Sequence, residues 1–322
     1  MFLTLMAVAT IGIPCVGLVS TVPHWDAGRQ FYLTISAFNR WKNTPTGVVC
    51  GQRVGFSGLE MTELLRSGDL SRLQRAMAHS RDDSFFHHLR SLLRARLRFD
   101  TFLILKFGRS GVPQALNTWI ADAALQATYP RYYLEGAYRL DPFFQMRHSQ
   151  TEGGLYRLSD IAPDRFFSGE YYLRYYQITG IRDEVGLLVP LSDGATGHLS
   201  FSRKDGKFRR RELQCLRHFS PVLLELLRQY CESRGAPESP PASSLRPLED
   251  LIAAHVLQVR QADLTRREAQ VIALILQGHS NLSAALVLGV ARQTVKVHRR
   301  NIYRKLMITS QAELFAMLSS LF

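Results

Sequence analysis

The stretch "LTRREAQVIALILQGHSNLSAALVLGVARQTVKVHRRNIYRKL", residues 264–306, decides the fold of the C-terminal part of this chain. Thr265 followed three residues later by Glu268 is a capping box, which opens a helix by mutual backbone and side-chain pairing. Val271, Ile272, Leu274 and Ile275 carry that helix to a stop at Gly278. A second short helix is expected from Asn281 to Leu288, then a tight turn at Gly289 and Val290. A third runs through "RQTVKVHRRNIYRKL", 292–306, and a fourth follows Ser310. Two helices joined by a glycine-containing turn make a helix-turn-helix.

The third helix carries Arg292, Lys296, Arg299, Arg300, Arg304 and Lys305 and no acidic residue. On a helical wheel Val295, His298, Ile302 and Leu306 share one side and face a core. Gln293, Lys296, Val297, Arg300 and Arg304 share the other, so the cations form a stripe. A helix fits the DNA major groove, where Lys and Arg donate to guanine O6 and N7 and an apolar side chain touches a thymine methyl. Cations that meet phosphates release counterions and so supply affinity. Charge alone would also suit a solvated face or a membrane-surface helix; the helix-turn-helix frame favours DNA.

The residues "LTRREAQVIALILQGHSN", "LGV", "TVKVHRRNIYRKL" and the later Ser and "EL" resemble the DNA-binding domain of the LuxR family of bacterial transcription regulators, over about 264–315. The resemblance implies a four-helix domain that reads DNA with its third helix, usually as a dimer, with RNA polymerase as a further partner. By position it implies base contacts from Lys296, Val297 and Arg300, phosphate contacts from Thr294, Arg304 and Lys305, and a structural role for Glu268. Three positions depart from the family. Ala291 replaces the usual Ser or Thr before the third helix, a lost N-cap that costs about 1 kcal/mol. Ala284 replaces a bulky aliphatic, and Gln311 stands where Arg is common.

The whole chain has 322 residues, a net charge of +13 and 46% hydrophobic residues, enough for two domains and an anionic partner. Cys15, Cys50, Cys215 and Cys231 show no CxxC spacing and read as reduced cytoplasmic thiols, with no metal site. "GAPESPPASSLRP", 235–247, is a linker by composition. Residues 1–60 are poorly patterned. "MFLTLMAVATIGIPCVGLVSTVP" is uncharged and long enough to span a bilayer, but Gly12, Pro14 and Gly17 interrupt it. An upstream extension ahead of a start near Met61 is the leading explanation, a membrane anchor the second, and a buried hydrophobic arm the third.

Between 61 and 234 the pattern is α+β. Two amphipathic helices are expected from Met61 to about Leu97, split near "RDDS", and then a buried strand at "TFLILKFG", 101–108. "PDRFFSGEYYLRYYQITG", 163–180, has helical aromatic spacing and stops at Gly180; its aromatics read as packing. "EVGLLVPLSDGATGHLSFSRKDGKF" is a hairpin, and "RRRELQCLRHFSPVLLELLRQYCESRG" a long amphipathic helix with a kink or break at Pro221. The number of leucines on that helix, Leu223 and Leu227 among them, suggests a dimer contact.

The fold class expected is therefore an α+β sensor domain (61–234), the linker, and an all-α four-helix helix-turn-helix domain (248–322). The sensor shows no phosphoacceptor pattern. "TYPRYYLEGAYRLDPFF" is similar to the Tyr-Pro and Asp-Pro stretch of acyl-homoserine-lactone receptors of the same family. That likeness implies Asp141 as acceptor for a ligand amide, with Tyr129, Tyr133 and Tyr138 lining a pocket. The spacing is shorter than in those receptors and their Trp is missing; Trp119 reads as core. Sensors of this family that resemble GAF or PAS domains fit better, so an unspecified small ligand ranks ahead of a lactone, with a ligand-free dimerisation module next. His87, His88, Asp141, His148 and His198 form no catalytic or metal-binding pattern, so neither an enzyme nor a cofactor is expected. The reading is a cytoplasmic, dimeric, DNA-binding transcription regulator; the alternative from another class is a basic protein tethered to a membrane by residues 1–23.

Overall fold

The apolar run "TFLILKF" forms β1, Thr101–Phe107, in a computed structural model of the chain. The structure describes residues 24–25, 31–32, 67–108, 113–147, 153–235 and 246–322. The chain divides into two units, Met1–Leu70 and Ser71–Phe322. In the first, His24–Trp25 and Phe31–Tyr32 pair as short antiparallel strands. The hydrophobic segment 1–23, most of the linker and His148 lie outside the described residues. Among the described residues no helix is long and apolar enough to cross a membrane.

Every position of β1 is buried, because the strand has cover on both faces. Its neighbours are β2, Gln114–Ile120; β3, Gly154–Arg157; β4, Asp183–Pro190; and β5, Thr196–Arg203. They form one antiparallel sheet in the order β2-β1-β5-β4-β3. The expected hairpin is β4–β5, with Gly194 supplying a positive φ of 77° in its turn. Period-two alternation sorts the side chains. Phe102, Ile104, Val185, Leu187, Leu199 and Phe201 go to one face; Leu103, Leu105, Phe107 and Leu188 go to the other.

The first face packs against α1, Ser67–Ala78; α2, Phe85–Arg94; and α5, Arg210–Ser233. The second lies under α3, Ala123–Glu135, and the short α4, Pro142–Met146. The helix α5 runs unbroken through Pro221. Its Leu223 and Leu227 are 1% and 0% exposed in the chain's own core, so they are not available as a dimer face. Phe219 is partly buried and Val222 exposed on the same helix. Trp119 sits on the α2 side of the sheet, 4.8 Å from the guanidinium carbons of both Arg90 and Arg94.

The C-terminal helices are α6, Leu248–Arg260; α7, Arg266–Leu276; α8, Asn281–Leu288; α9, Arg292–Leu306; and α10, Gln311–Leu318. The last four are the helix-turn-helix domain read from sequence; α6 precedes them. Thr265 Oγ1 accepts from the Glu268 N–H and Glu268 Oε2 from the Thr265 N–H, at 3.2 and 2.9 Å, so the capping box forms. Gly289 ends α8 at a φ of 64°.

Gly186 on β4 faces the second side of the sheet. A Cβ there would come within 2.5 Å of Phe143 Cε1 and 2.7 Å of His198 Nε2. Gly186→Ala is therefore expected to destabilise the protein by about 1–3 kcal/mol, read as a lower urea midpoint at unchanged slope.

Candidate nucleic-acid interface and ligand cavity

The wheel of α9 is realised as expected on its apolar side. Val295, Ile302 and Leu306 are buried, and His298 is half-buried. Gln293, Thr294, Lys296, Val297, Arg300 and Arg304 are exposed along the other side. Ala291 at the N-cap makes no side-chain bond to the first turn. Not every cation of this helix is left unpaired. Lys305 Nζ lies 2.6 Å from Glu268 Oε2 and donates to the Asp263 carbonyl at 3.0 Å. Arg299 donates to Tyr303 Oη and to Gln311 Oε1, at 3.0 and 3.2 Å. The absence of acids within the helix therefore does not mean that none of its charges is met: Glu268 reaches Lys305 from α7. Burial works against the charged Glu268, but Lys305 and the Thr265 donors outweigh it and hold the carboxyl below its usual range.

The second site is a cavity of about 20 Å³ under α3, room for one water molecule. Its floor is set by strand register. Leu103 of β1 stands opposite Ser200 of β5, which stands opposite Gly186 of β4. One row along are Leu105, His198 and Leu188. Glu184 enters from the start of β4, and Ala115 and Thr118 from β2. The roof is Tyr129, Pro130, Tyr133 and Leu134 of α3, with Asp141 just before α4. Tyr171, Tyr175 and Tyr176 close the side. They belong to the aromatic run read as packing, which winds as a π-helix over Tyr172–Tyr176; such wide turns recur at functional sites.

Of the residues expected to line a pocket, the structure brings Tyr129, Tyr133 and Asp141 together and leaves Tyr138 out. Tyr138 lies beyond the turn at Gly136, edge-on to Phe144 at 4.8 Å. Asp141 also has a local duty: it caps α4, accepting from the Phe143 N–H at 2.9 Å, with Pro142 in the first turn. Its other oxygen accepts from Tyr133 Oη at 2.6 Å. Glu184, His198 and Ser200 were not expected here, although an acid within an apolar strand covered on both faces is the signal that could have marked the first of them.

Glu184 accepts from Ser200 Oγ at 2.5 Å and from Tyr176 Oη at 3.0 Å. Burial pushes its carboxyl up to about 7, helped by the charge of Asp141 and opposed by those two donors. Burial pushes Asp141 up to about 6 against the Tyr133 and Phe143 donors. Burial drives His198 the other way, to about 3, so its ring is neutral. Among the described residues neither nitrogen of His198 has a hydrogen-bond partner, nor does Tyr171 Oη, and all three are buried. Among the described residues no group of three or more His, Cys, Asp or Glu could hold a metal ion.

Comparison with known proteins follows the same lines. The profile of the bacterial regulatory proteins, luxR family, matches residues 262–318. A curated Aeromonas salmonicida protein, named as an HTH-type transcriptional regulator in the exeN 3′ region, is 36% identical over 182 residues, 54% of this chain and 91% of that protein. This protein belongs to the LuxR family of bacterial regulatory proteins. It is a helix-turn-helix transcriptional regulator with an α+β domain ahead of the DNA-binding helices. Among solved structures, the VqsR LBD domain from Pseudomonas aeruginosa aligns at 23% identity with a TM-score of 0.46, covering 52% of this chain and 99% of that one. CepR2 from Burkholderia cenocepacia, titled an N-acylhomoserine lactone dependent LuxR family factor, aligns at 17% identity with a TM-score of 0.40, covering 52% and 98%.

The acids leave a signature in stability. Glu184 and Asp141 titrate higher in the folded chain than unfolded, so the folded state holds more protons between about pH 4 and 7. Their contribution to stability falls as pH rises through that window. His198, with a lowered value, contributes in the opposite sense. The Glu184 part is therefore read as a difference. In Glu184→Gln, unfolding free energy measured from pH 5 to 7 is expected to climb more, or fall less, than in the unaltered protein. Parallel curves would contradict the assignment.

Proposed function

We propose that the protein binds double-stranded DNA sequence-specifically as a homodimer in the bacterial cytoplasm and controls transcription by RNA polymerase in response to a small molecule held in the cavity. The observation that carries the DNA reading is the exposed stripe of α9. Lys296, Val297 and Arg300 read base edges, and Thr294 and Arg304 meet phosphates. Lys305 is kept out of the phosphate set, because its ammonium is taken up by Glu268. The dimer reading rests on the partly exposed Phe219 and Val222 of α5, in place of the buried leucines.

Control by a ligand is supported by shared chain. Tyr171, Tyr175 and Tyr176 wall the cavity, and the residues just before them hold the helix-turn-helix. The Arg165 N–H donates to the Gly278 carbonyl at 2.9 Å, and Asp164 Oδ1 accepts from the Ser280 N–H at 2.9 Å. The guanidinium carbon of Arg174 lies 5.1 Å over the Phe315 ring. A change in the cavity wall thus reaches the start of α8 through fewer than ten residues of chain.

Selection of the full chain against random duplexes at 150 mM salt is expected to enrich a two-fold site. On that site Arg300→Ala should cost about 1–3 kcal/mol and relax one base position, while Arg304→Ala should weaken all sequences alike and flatten the salt slope by about one unit. Identical behaviour of the two variants would remove the division between base and phosphate contacts.

The link between cavity wall and DNA-binding helices has its own test. Asp164→Ala should speed hydrogen exchange of the Ser280 amide several-fold, as expected for one lost bond of about 1 kcal/mol, and weaken operator binding. Unchanged exchange and unchanged affinity would show that the contact transmits nothing.

A further inference from the structure

The cavity wall has an unusual chemical balance. Among the described residues it holds two carboxyl groups, Asp141 and Glu184, and no Lys or Arg. Elsewhere in the sheet buried charge is met by opposite charge: Lys106 pairs with Asp193 at 2.8 Å and Arg157 with Asp183 at 2.7 Å. Asp183 precedes Glu184 but points to the opposite face, so Arg157 does not serve the cavity. Arg147, the basic group beyond α4, lies 3.7 Å from the centre of the Phe144 ring, donates to the Phe144 carbonyl and does not line the cavity. Among the described residues the two acids receive hydroxyl and backbone N–H donors only, one to each oxygen. A carboxylate oxygen accepts about two, so acceptor capacity remains on both.

The aromatic part of the wall points the same way. Tyr129, Tyr133, Tyr171, Tyr175 and Tyr176 all line the space. Their hydroxyls stay protonated, because burial holds them far from ionisation. Ring faces attract cations, more so when water is excluded. His198 and Tyr171 add buried polar atoms with no partner of their own among the described residues. An anionic ligand would meet two acids. A neutral amide would use one acceptor and bring no opposite charge to either acid.

We propose that this cavity binds a small organic cation, a primary or secondary ammonium, whose N–H groups donate to Asp141 and Glu184 within the tyrosine cage. The proposal rests on the ligand-controlled reading above and specifies its ligand class. The space as it stands admits one water molecule, so a larger amine enters by outward movement of the wall. The segment from Tyr171 to Gly180 and the helix α3 both have exposed residues behind the wall, Leu173 and Ile178 in the first and Tyr132 in the second.

The test uses the full chain at pH 7 with straight-chain primary amines of two to eight carbons, the matched alcohols, and an N-acyl homoserine lactone. Melting temperature and calorimetric titration are read for each. Some amines are expected to bind and raise the melting temperature, with alcohols and lactone inert, and binding should release protons, seen as a dependence of the heat on buffer ionisation. Glu184→Gln and Asp141→Asn should each weaken the best amine about tenfold or more. The proton release needs no variant, so the test survives if either variant folds poorly. If alcohols or lactone bind and amines do not, the cation proposal fails while ligand control stands. If amines bind folded Glu184→Gln and Asp141→Asn as tightly as the unaltered protein, the proposal fails. If no probe of any kind binds, the proposal and the ligand-controlled reading fall together.

Discussion

Cover on both faces of the β1–β5–β4 ribbon is the constraint on which the rest of this protein depends. A half-exposed sheet can turn its polar residues to water; this one cannot. Each polar side chain on it must find a partner inside or be left unmet at a cost of a few kcal/mol. Thr101 and Ser202 satisfy each other at 2.6 Å across β1 and β5. Arg203, near the sheet's end, is held by Glu212 of α5. On the cavity side the same requirement is met only partly. Glu184 and Asp141 have hydroxyl partners and His198 has none among the described residues. Unmet polar groups gathered in one small space are the observation on which the proposed ligand site rests.

The helix-turn-helix was legible in the sequence because everything that defines it is local. The Thr265–Glu268 box, the glycines after α7 and α8 and the three-and-four spacing on α9 are each readable within one or two turns. The cavity was not, because it is assembled by strand parity and long-range register. Asp183 and Glu184 are neighbours in sequence, yet one faces Arg157 and the other faces Ser200. Tyr129 and Tyr133 are four apart on α3 and share its inner face; Tyr138, after Gly136, does not. Tyr171, Tyr175 and Tyr176 face one space together over a π-helical turn, a geometry that helical spacing does not anticipate.

Two departures from the family pattern take on meaning beside their neighbours. Gln311 stands where Arg is common, and its side-chain carbonyl accepts from Arg299 of α9. A second guanidinium at that position would face the first. Ala291 leaves the start of α9 without a side-chain cap, while the far end is tied by Lys305 to Glu268 and closed by Met307 at a φ of 55°. The recognition helix is therefore anchored at its C-terminal end, through the same carboxylate that opens α7.

That carboxylate joins α9 to α7, and α7 runs into Gly278, where the sensor touches the DNA-binding helices. Gly278 has a φ of 92°, and a Cβ there would come within 2.6 Å of the Phe166 Cα. Only glycine allows so close an approach together with that backbone turn. Phe166 in turn packs edge-on to Tyr171 and Tyr176, at 5.9 Å from each, and both rings wall the cavity. Aromatic rings packed at this density do not compress; they shift together or stay. A ligand that displaced Tyr171 would therefore press on Phe166, and through it on a backbone junction that has no side chain to yield.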